Sequence, residues 1–383
     1  MSSRLFVTGA MRSGTTLLDK LLSAHSQIRI YSQPLPLLYS EVKKSFLGSR
    51  YANSQLGPVL ERYPLIDLFA EHYTPPSEFV TFLAGFKLQP KQLRRVLEEM
   101  RTYSGQKTRP RQHFSLPEAS RSIGLLEFVE AYLRALDPKA GERVIGSKET
   151  FCEEYIPFFL AGGVKVVQTI RDPRAVLASL NYGAGRKYSG RRRPDLFNLR
   201  QWRKSVAFAL AHRGHPGFLA LRYEDLVRDP GRTLERVSSF LDVDSFPSGA
   251  HRRLRTYDGK VWRSNSSHAA SEELFTESIE RYRELLEPKT DLFVQAVCFW
   301  EMRRLGYEVD LKEQAVQSVL DEHRSEEPLE RRELAYYHWC PERVAEERER
   351  FRHLQDNSFE APLFLFHDAF VELRNRDLVG LET

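Results

Sequence analysis

The chain has 383 residues, of which 41% are hydrophobic and 28% are charged, and its formal net charge is +5 at pH 7. This length and apolar content suffice for one large α/β domain with an appendix. The charge is a mild bias toward anionic ligands and argues against nucleic acid as a partner. No apolar run approaches the ~20 residues that span a bilayer, so no membrane span is predicted.

Cysteine usage and the first residues favour a cytoplasmic protein. Cys152, Cys298 and Cys340 are odd in number and widely spaced, so they form neither a disulfide framework nor a zinc pattern. No charged-then-apolar leader precedes the first predicted strand, residues 4–8. We therefore expect reduced, packed cysteines and a cytoplasmic location.

The first motif joins that strand to a helix through a glycine loop. Apolar residues at helical spacing predict a helix that begins near Thr15. Gly9 and Gly14 have the spacing of a P-loop, whose inward N–H groups and helix N-terminus cradle a phosphate. The P-loop lysine is replaced by Thr15, which argues against ATP hydrolysis, and Arg12 supplies a cation instead. The alternative is a turn that binds nothing.

The segment after this helix is harder to interpret. Two prolines in residues 32–36 predict an irregular stretch beside the phosphate loop. Residues 40–120 carry many aromatic side chains and a helical pattern at 91–100, and we interpret them as an insertion that forms an acceptor cleft. An apolar stripe then predicts a helix over 125–136 with Ser122 as its N-cap.

A second motif lies at the end of a predicted central strand, residues 164–170. Asp172 suits a helix N-cap and Pro173 suits the first helical position, so Arg171 stands at the carboxyl end of the strand. Open α/β sheets bind ligands at that edge. Ser179, eight residues after the arginine, is expected about two turns into the helix, and an arginine with a hydroxyl suits a phosphate. The alternative is an arginine that pairs with a neighbouring carboxylate.

The rest of the chain alternates predicted strands and helices. A short strand over 143–146 delivers Lys148 and Glu149, and the other predicted elements are a helix over 195–213, a strand over 218–223 and a helix over 230–241. This order implies a mostly parallel sheet with helices on both faces.

Two loops and a tail complete this description. Residues 186–193 form a basic loop, which is either solvated or a lid that attracts an acidic substrate. The polar loop 260–268 could close over a nucleotide, or it is a surface turn.

Helices are expected at about 272–287 and 290–305, the second ended by a glycine. We divide the chain into an α/β domain, 1–310, and a helical extension, 311–383.

Taken together, these motifs resemble the sulfotransferases that use 3′-phosphoadenosine 5′-phosphosulfate (PAPS). Residues 11–18 resemble the 5′-phosphosulfate loop of that family, and residues 170–179 resemble its 3′-phosphate motif. Residues 260–267 are similar to a late loop that closes on the cofactor, and residues 221–226 recur in the same branches. The resemblance implies the P-loop-like sulfotransferase fold and PAPS as donor, with PAP (3′-phosphoadenosine 5′-phosphate) as product.

The resemblance also implies the site residues. The 5′-phosphosulfate would be held by Arg12, Ser13, Gly14, Thr15, Thr16 and Leu17. The 3′-phosphate would be held by Arg171 and Ser179, and further cofactor contacts would come from Tyr223, Trp262, Asn265, Ser266 and Ser267. Such a site needs fixed cations and N–H groups around the leaving oxygen rather than a metal. Arg12 and Lys148 are placed to reach that oxygen.

The general base departs from the family pattern. The position of the glutamate in the glycan and tyrosine branch is Gln33, and the position of the histidine in cytosolic relatives is Thr150. Glu149, Glu41 or His113 could substitute. We select Glu149 as the catalytic base, with a plain ion pair to the neighbouring lysine as the alternative.

The sequence therefore predicts an enzyme that moves a sulfuryl group from PAPS to a hydroxyl or amine of a small-molecule, lipid or glycan acceptor. A P-loop kinase or NTPase with a degenerate loop is one alternative, although Asp225 is a lone candidate for a magnesium carboxylate. A PAP-binding protein without catalysis is another. The basic loop favours an anionic acceptor, and the oligomeric state is left open.

Overall fold

The structure is a computed structural model that describes residues 3–50, 76–103, 108, 121–136, 143–183, 194–252, 254–256, 258–262, 276–323, 341–360 and 363–375. Its main strands are β1 (Ser3–Thr8), β2 (Ile28–Ser32), β5 (Val144–Lys148), β6 (Lys165–Ile170) and β7 (Phe218–Arg222). They form a five-stranded parallel sheet in the order β2-β5-β1-β6-β7. Two short strands, β3 (Lys87–Leu88) and β4 (Ile123–Gly124), pair separately as an antiparallel ribbon. The predicted mostly parallel sheet is confirmed.

Helices cover both faces of this sheet. In the first half they are α1 (Thr15–Leu22), α2 (Pro36–Gly48), α3 (Pro76–Gly85), α4 (Pro90–Thr102), α5 (Leu125–Leu136), α6 (Ile156–Ala161) and α7 (Pro173–Leu177). They continue with α8 (Asp195–His212), α9 (Tyr223–Arg228), α10 (Pro230–Leu241), α11 (Tyr282–Leu285), α12 (Pro288–Val297), α13 (Phe299–Arg304), α14 (Val316–Glu322), α15 (Pro341–Asp356) and α16 (His367–Arg374). Within these residues no helix is long and apolar enough to cross a bilayer.

The central strand β1 alternates its side chains between two apolar cores. Phe6 packs in the larger core with Tyr39 of α2 and Phe159 of α6. Val7 points to the other face, where Leu18 of α1 and Val237 of α10 are fully buried. Burial on both faces is the usual environment of a parallel sheet. Because β1 lies between β5 and β6, the loop that follows it opens at the middle of the sheet edge.

Several predicted boundaries shift for local reasons. Ser122 does not cap α5, because its hydroxyl donates to Gln89 Oε1 at 2.9 Å. The strand β4 also separates Ser122 from the first residue of α5. An irregular stretch is expected over residues 32–36, but the second of its two prolines, Pro36, is the first residue of α2. A proline is tolerated there because the first residue of a helix needs no N–H donor. The helix after Asp172 widens to a π-helix over Ala178–Tyr182, so Ser179 lies in a π turn.

The two helices expected over 272–305 are shorter and interrupted. Among the described residues the first is a 3₁₀ turn, Thr276–Ser278, followed by the single-turn helix α11. Glu287 is extended before Pro288, as the residue before a proline usually is, so a new helix begins there. The second helix breaks at Cys298, whose φ of −109° and ψ of 18° separate α12 from α13.

Buried ion pairs join α15 to α8. Glu347 is 4% exposed and accepts from Arg203 Nη2 at 2.9 Å and from Arg200 Nε at 2.6 Å. Burial by itself would raise the pKa of Glu347, but the two arginines outweigh it and lower that pKa to about 2. Arg350 of the same helix also pairs with Glu301 of α13. The carboxylate of Glu347 therefore stabilises the fold only while it is ionised.

Glu347→Gln tests this ion pair. Breaking a buried pair costs roughly 3 kcal/mol, so the variant should lose about that much free energy of unfolding at pH 7. The pKa of Glu347 is lower in the folded chain than in the unfolded chain, where it is ~4.3. The stabilisation of the fold by Glu347 is therefore fully present above that unfolded value and disappears as the pH falls toward 2. Urea unfolding from pH 7 to pH 2 should therefore show a steeper acid loss in the wild type than in Glu347→Gln.

The matched control is Glu346→Gln. Glu346 is more exposed and accepts from Arg200 Nη2 at 2.8 Å, so its loss should cost under about 1 kcal/mol. Equal acid slopes in the wild type and Glu347→Gln would contradict the assignment.

Candidate functional site

Strand register brings the predicted motifs to one edge of the sheet. Val7 of β1 pairs with Lys148 on one side and with Val167 on the other, and Ile170 pairs with Arg222. The residues after these positions therefore lie side by side at the carboxyl edge. This is where an open parallel sheet binds its ligands.

The glycine loop after β1 is packed too tightly for side chains at its two glycines. Gly9 has φ +155°, and a Cβ there would lie 2.5 Å from the carbonyl oxygen of Thr169. Gly14 has φ +98°, and its Cβ would lie 2.4 Å from Cδ2 of Tyr223. Arg12 adopts φ 67°, which is uncommon for a residue with a side chain. The loop geometry is therefore set by both glycines.

The hydroxyl of Ser13 closes the glycine loop, and the loop leads directly into α1. Ser13 Oγ donates to the carbonyl of Ala10 at 2.7 Å and lies 3.0 Å from Thr169 Oγ1. The first helical bond runs from the Leu18 amide to Gly14 O at 3.0 Å. The amides of Thr15, Thr16 and Leu17 precede that bond, at the end of the helix that favours an anion.

The structure brings the two predicted anion motifs into contact. Arg12 Nε donates to Ser179 Oγ at 2.8 Å, and Arg171 Nη1 donates to the carbonyl of Arg12 at 3.3 Å. Burial, followed by the charge of Arg171, lowers the pKa of Arg12 to about 10. The two guanidinium groups are close enough for the charge of Arg171 to act on Arg12, and such a pair of cations can attract an anion.

Buried side chains of two helices bind the backbone at Arg171 and Asp172. Trp202 Nε1 of α8 donates to the carbonyl of Arg171 at 2.7 Å. Glu224 Oε1 accepts from the amide of Asp172 at 2.9 Å, and Asp172 caps α7 as predicted by accepting from the amide of Arg174. Asp172 also forms a buried ion pair with Arg174 at 2.7 Å. The alternative of an Arg171–Asp172 ion pair is therefore not observed.

Lys148 reaches the site from β5. It is 1% exposed, and its Nζ lies 3.5 Å from Thr16 Oγ1 and 3.9 Å from Asp19 Oδ2 on α1. Asp19 is fully buried and also binds Lys20 at 2.8 Å. Sequence reasoning missed Asp19, because an apolar helix face gives no signal for a carboxylate that turns toward a neighbouring strand.

Glu149 lies on the opposite face of the sheet from Lys148. Successive residues of a strand alternate, so Glu149 points toward α2, where Oε1 accepts from the Leu35 amide at 2.8 Å. Burial raises the pKa of Glu149 to about 8, against the opposing effects of the Leu35 amide and Lys148. The carboxyl group is thus a buried group with a pKa near the range of a general base.

The other positions considered for the base have different surroundings. Gln33 adopts φ 42° directly after β2, and its amide donates to the carbonyl of Lys148 at 2.7 Å. Glu41 accepts from Gln92 Nε2 at 3.2 Å and pairs with Arg95, so it is engaged with α4. His113 lies outside the described residues.

The late loop is described only at its start. Trp262 packs against the core that contains α1, and its amide donates to Leu254 O at 2.8 Å. Lys260 is exposed and pairs with Asp258 at 2.8 Å. Three predicted cofactor contacts, Asn265, Ser266 and Ser267, lie outside the described residues, as does the basic loop 186–193.

The fold and the site define an α/β protein with a glycine loop and paired arginines at the carboxyl edge of a parallel sheet, which is a class that binds phosphorylated ligands. A match to the model of the Sulfotransferase family covers residues 4–248. The chain belongs to this family.

Similar proteins include a curated relative and several solved structures. Carbohydrate sulfotransferase 3 of Tetronarce californica is 26% identical over 162 residues, which are 38% of this chain and 36% of that protein, so the match spans little more than a third of the relative. The sulfotransferase domain of the Synechococcus PCC 7002 olefin synthase is 16% identical, with a TM-score of 0.41 over 75% of this chain and 90% of that chain. Mouse sulfotransferase SULT7A1 complexed with PAP is 13% identical, with a TM-score of 0.34 over 76% and 80%.

Gly14→Ala tests the packing of the glycine loop. The new Cβ would collide with the Tyr223 ring at a positive φ, so we expect the free energy of unfolding to fall by about 2 kcal/mol. Gly85→Ala is the control, because a Cβ at the end of α3 meets nothing within 4 Å and should change stability by less than about 0.5 kcal/mol. Urea denaturation of both variants is the measurement, and equal stabilities would show that the loop accommodates a side chain.

Proposed function

We propose that the protein transfers a sulfuryl group from PAPS to a hydroxyl or amine of a small-molecule, lipid or glycan acceptor by in-line displacement. The observation that carries this proposal is the convergence of Arg12 from the first motif with Arg171 and Ser179 from the second at one point of the sheet edge. A donor with phosphate groups at both its 5′ and 3′ positions suits two adjacent cationic groups. Family membership supports the same reaction class.

The loop residues and the second motif divide the donor between them in this proposal. The amides of Thr15, Thr16 and Leu17, the loop at Ser13 and Gly14, and the side chain of Arg12 would hold the 5′-phosphosulfate. Arg171 and Ser179 would hold the 3′-phosphate. The Arg12–Ser179 hydrogen bond of 2.8 Å links the two halves, so both phosphate contacts depend on the same loop conformation.

The chemistry needs a leaving oxygen that gains negative charge and an acceptor that loses a proton. The bond from the acceptor atom to sulfur forms while the bond from sulfur to the 5′-phosphate oxygen breaks. Arg12 and Lys148 would stabilise the charge on that oxygen, and preorganised cations of this kind are usually the largest catalytic term. The buried contacts of Lys148 with Thr16 and Asp19 fix its ammonium before a ligand arrives.

The proton acceptor in this proposal is Glu149. A carboxylate in a buried site with a pKa of about 8 is basic enough for the task. The proposal requires an acceptor path on the α2 side of the sheet, where Glu149 contacts Leu35.

Other parts of the proposal rest on the sequence. We propose that residues 40–120 form the acceptor cleft and that residues 311–383 form a helical extension. We also propose that the reaction takes place in the cytoplasm. Tyr223 and Trp262 are assigned to the cofactor with the residues of the late loop. The basic loop favours an anionic acceptor, and we propose no metal requirement.

Arg171→Ala tests donor binding. A charge-assisted hydrogen bond contributes about 1.5–3 kcal/mol, so PAP affinity should fall roughly 10- to 100-fold. Isothermal titration of PAP into the wild type and the variant measures this change. Arg101→Ala, at an exposed position near the end of α4, is the control and should bind as the wild type does.

Failure of the wild type to bind PAP, or unchanged affinity in Arg171→Ala, would overturn the proposal. Magnesium-dependent ATP turnover would support the kinase alternative instead. Sulfated product from any acceptor would eliminate the alternative of PAP binding without catalysis.

Glu149→Gln tests the base. The amide keeps an oxygen that can accept from Leu35 but cannot take a proton, so the turnover rate should fall about a hundred- to ten-thousand-fold. Because the pKa of Glu149 is raised to about 8 and the carboxylate is the active form, the wild-type rate should rise with pH through about 8. Initial rates from pH 6 to pH 9 measure both effects.

Glu130→Gln on α5 is the matched control and should retain the wild-type rate, since Glu130 pairs with Arg4 and Arg134 away from the site. A near-normal rate in Glu149→Gln would remove the assignment and direct the search to Glu41 and His113.

A further inference from the structure

Among the residues that the structure describes, no carboxylate binds the guanidinium group of Arg171. Within the described residues its hydrogen bonds go to two carbonyl oxygens, those of Arg12 and Ser278. Its Cζ lies 4.3 Å from the centroid of the Tyr223 ring, and its Nε is buried with no hydrogen-bond partner in the described part of the chain. Arg171 is only 8% exposed, so its orientation is set by these neighbours and its charge is left for a ligand.

One residue contacts both neighbours of that guanidinium. Ser278 supplies the carbonyl that accepts from Arg171 Nη2, and its hydroxyl lies 2.6 Å from the Tyr223 hydroxyl. Ser278 is 4% exposed and Tyr223 is 8% exposed, so water does not replace these bonds easily. The three residues form a closed bracket, in which the carbonyl of Ser278 binds the cation and its hydroxyl binds the ring.

The serine of this bracket lies beyond the family match at 4–248, which includes Arg171 and Tyr223. Ser278 ends the 3₁₀ turn Thr276–Ser278, and the next residue, Ile279, packs against Tyr223 and Val227 of α9. The turn is therefore anchored to α9 by apolar packing on one side and by hydrogen bonds on the other.

We propose that Ser278 is a positioning residue that orients Arg171, through its carbonyl and through Tyr223, so that the site selects ligands with a 3′-phosphate. This rests on the proposed function, because it takes Arg171 as the 3′-phosphate contact. It adds a third segment, residues 276–279, to the two motifs that build the anion site. Loss of the Ser278 hydroxyl frees the Tyr223 ring against which the guanidinium packs, while the carbonyl of residue 278 still accepts from Arg171. The loss therefore loosens the proposed 3′-phosphate contact and leaves the glycine loop at the 5′ end in place.

The test compares two ligands that differ in one phosphate. Dissociation constants for adenosine 3′,5′-bisphosphate and adenosine 5′-monophosphate are measured by isothermal titration for the wild type, Ser278→Ala, Tyr223→Phe and the double variant. Each single variant should weaken bisphosphate binding by about 3- to 10-fold, the range of one buried hydrogen bond, and leave the monophosphate nearly unchanged. The double variant should lose no more than a single one, because both remove the same bond.

Ser238→Ala is the matched control, because Ser238 is equally buried and its hydroxyl donates to the carbonyl of Glu235 on α10. It should bind both nucleotides as the wild type does. Equal losses for the two ligands in Ser278→Ala, or unchanged bisphosphate affinity in both single variants, would overturn the positioning role. Tyr223→Phe keeps the test valid if Ser278→Ala does not fold. A wild type that does not bind the bisphosphate at all would instead overturn the proposed function, and with it this inference.

Discussion

The site depends on holding two guanidinium groups close together at the carboxyl edge of the sheet. Arg12 is largely removed from water and is repelled by Arg171, and burial followed by this repulsion lowers the pKa of Arg12 to about 10. Neutral partners offset part of the cost of burying these two cations. The Ser179 hydroxyl contacts Arg12, and backbone carbonyls and the Tyr223 ring contact Arg171. These partners fix direction without neutralising charge. In the proposed function a multiply charged anion placed between the two side chains relieves this repulsion.

This arrangement requires a rigid frame, and the frame is supplied by buried polar contacts outside the anion site. Glu224 holds the Asp172 amide, and Trp202 holds the Arg171 carbonyl at 2.7 Å. Both side chains are buried and belong to helices that pack on the sheet. Preorganised groups of this kind need not reorganise when a ligand binds, which is the condition under which fixed cations are effective in catalysis.

Local sequence signals were enough to predict much of this site. Gly9, Gly14 and the Asp172-Pro173 pair act through backbone conformation and capping, which depend on neighbours in the chain, and the structure has the turn and helix starts that they predict. The parallel sheet followed from the order of strands and helices. The cofactor roles of these residues stay predictions.

The parts that were missed depend on distant residues. Ser278 lies more than a hundred residues from Arg171, and nothing near it in sequence indicates that its carbonyl accepts from a guanidinium. Asp19 stands on a helix that reads as plainly apolar, yet it lies 3.9 Å from Lys148. The helix expected over 290–305 breaks at Cys298, a position with no proline or glycine to predict it. Contacts made through tertiary packing are not encoded by any short pattern.

The residues proposed to bind the donor and the proposed proton acceptor, Glu149, occupy separate parts of this fold. The anion site is built on the loop after β1 and on the strand ends beside it, whereas the position next to Lys148 on the neighbouring strand end is occupied by Gln33. An amide there cannot take a proton near neutral pH, and strand alternation sends the adjacent carboxylate, Glu149, to the other face of the sheet. A substitution of Glu149 would therefore leave the contacts of Arg12 and Arg171 intact. In the proposed function the donor contacts and the proton acceptor are therefore separate, because Glu149 lies on the α2 side of the sheet rather than in the loops proposed to hold phosphate.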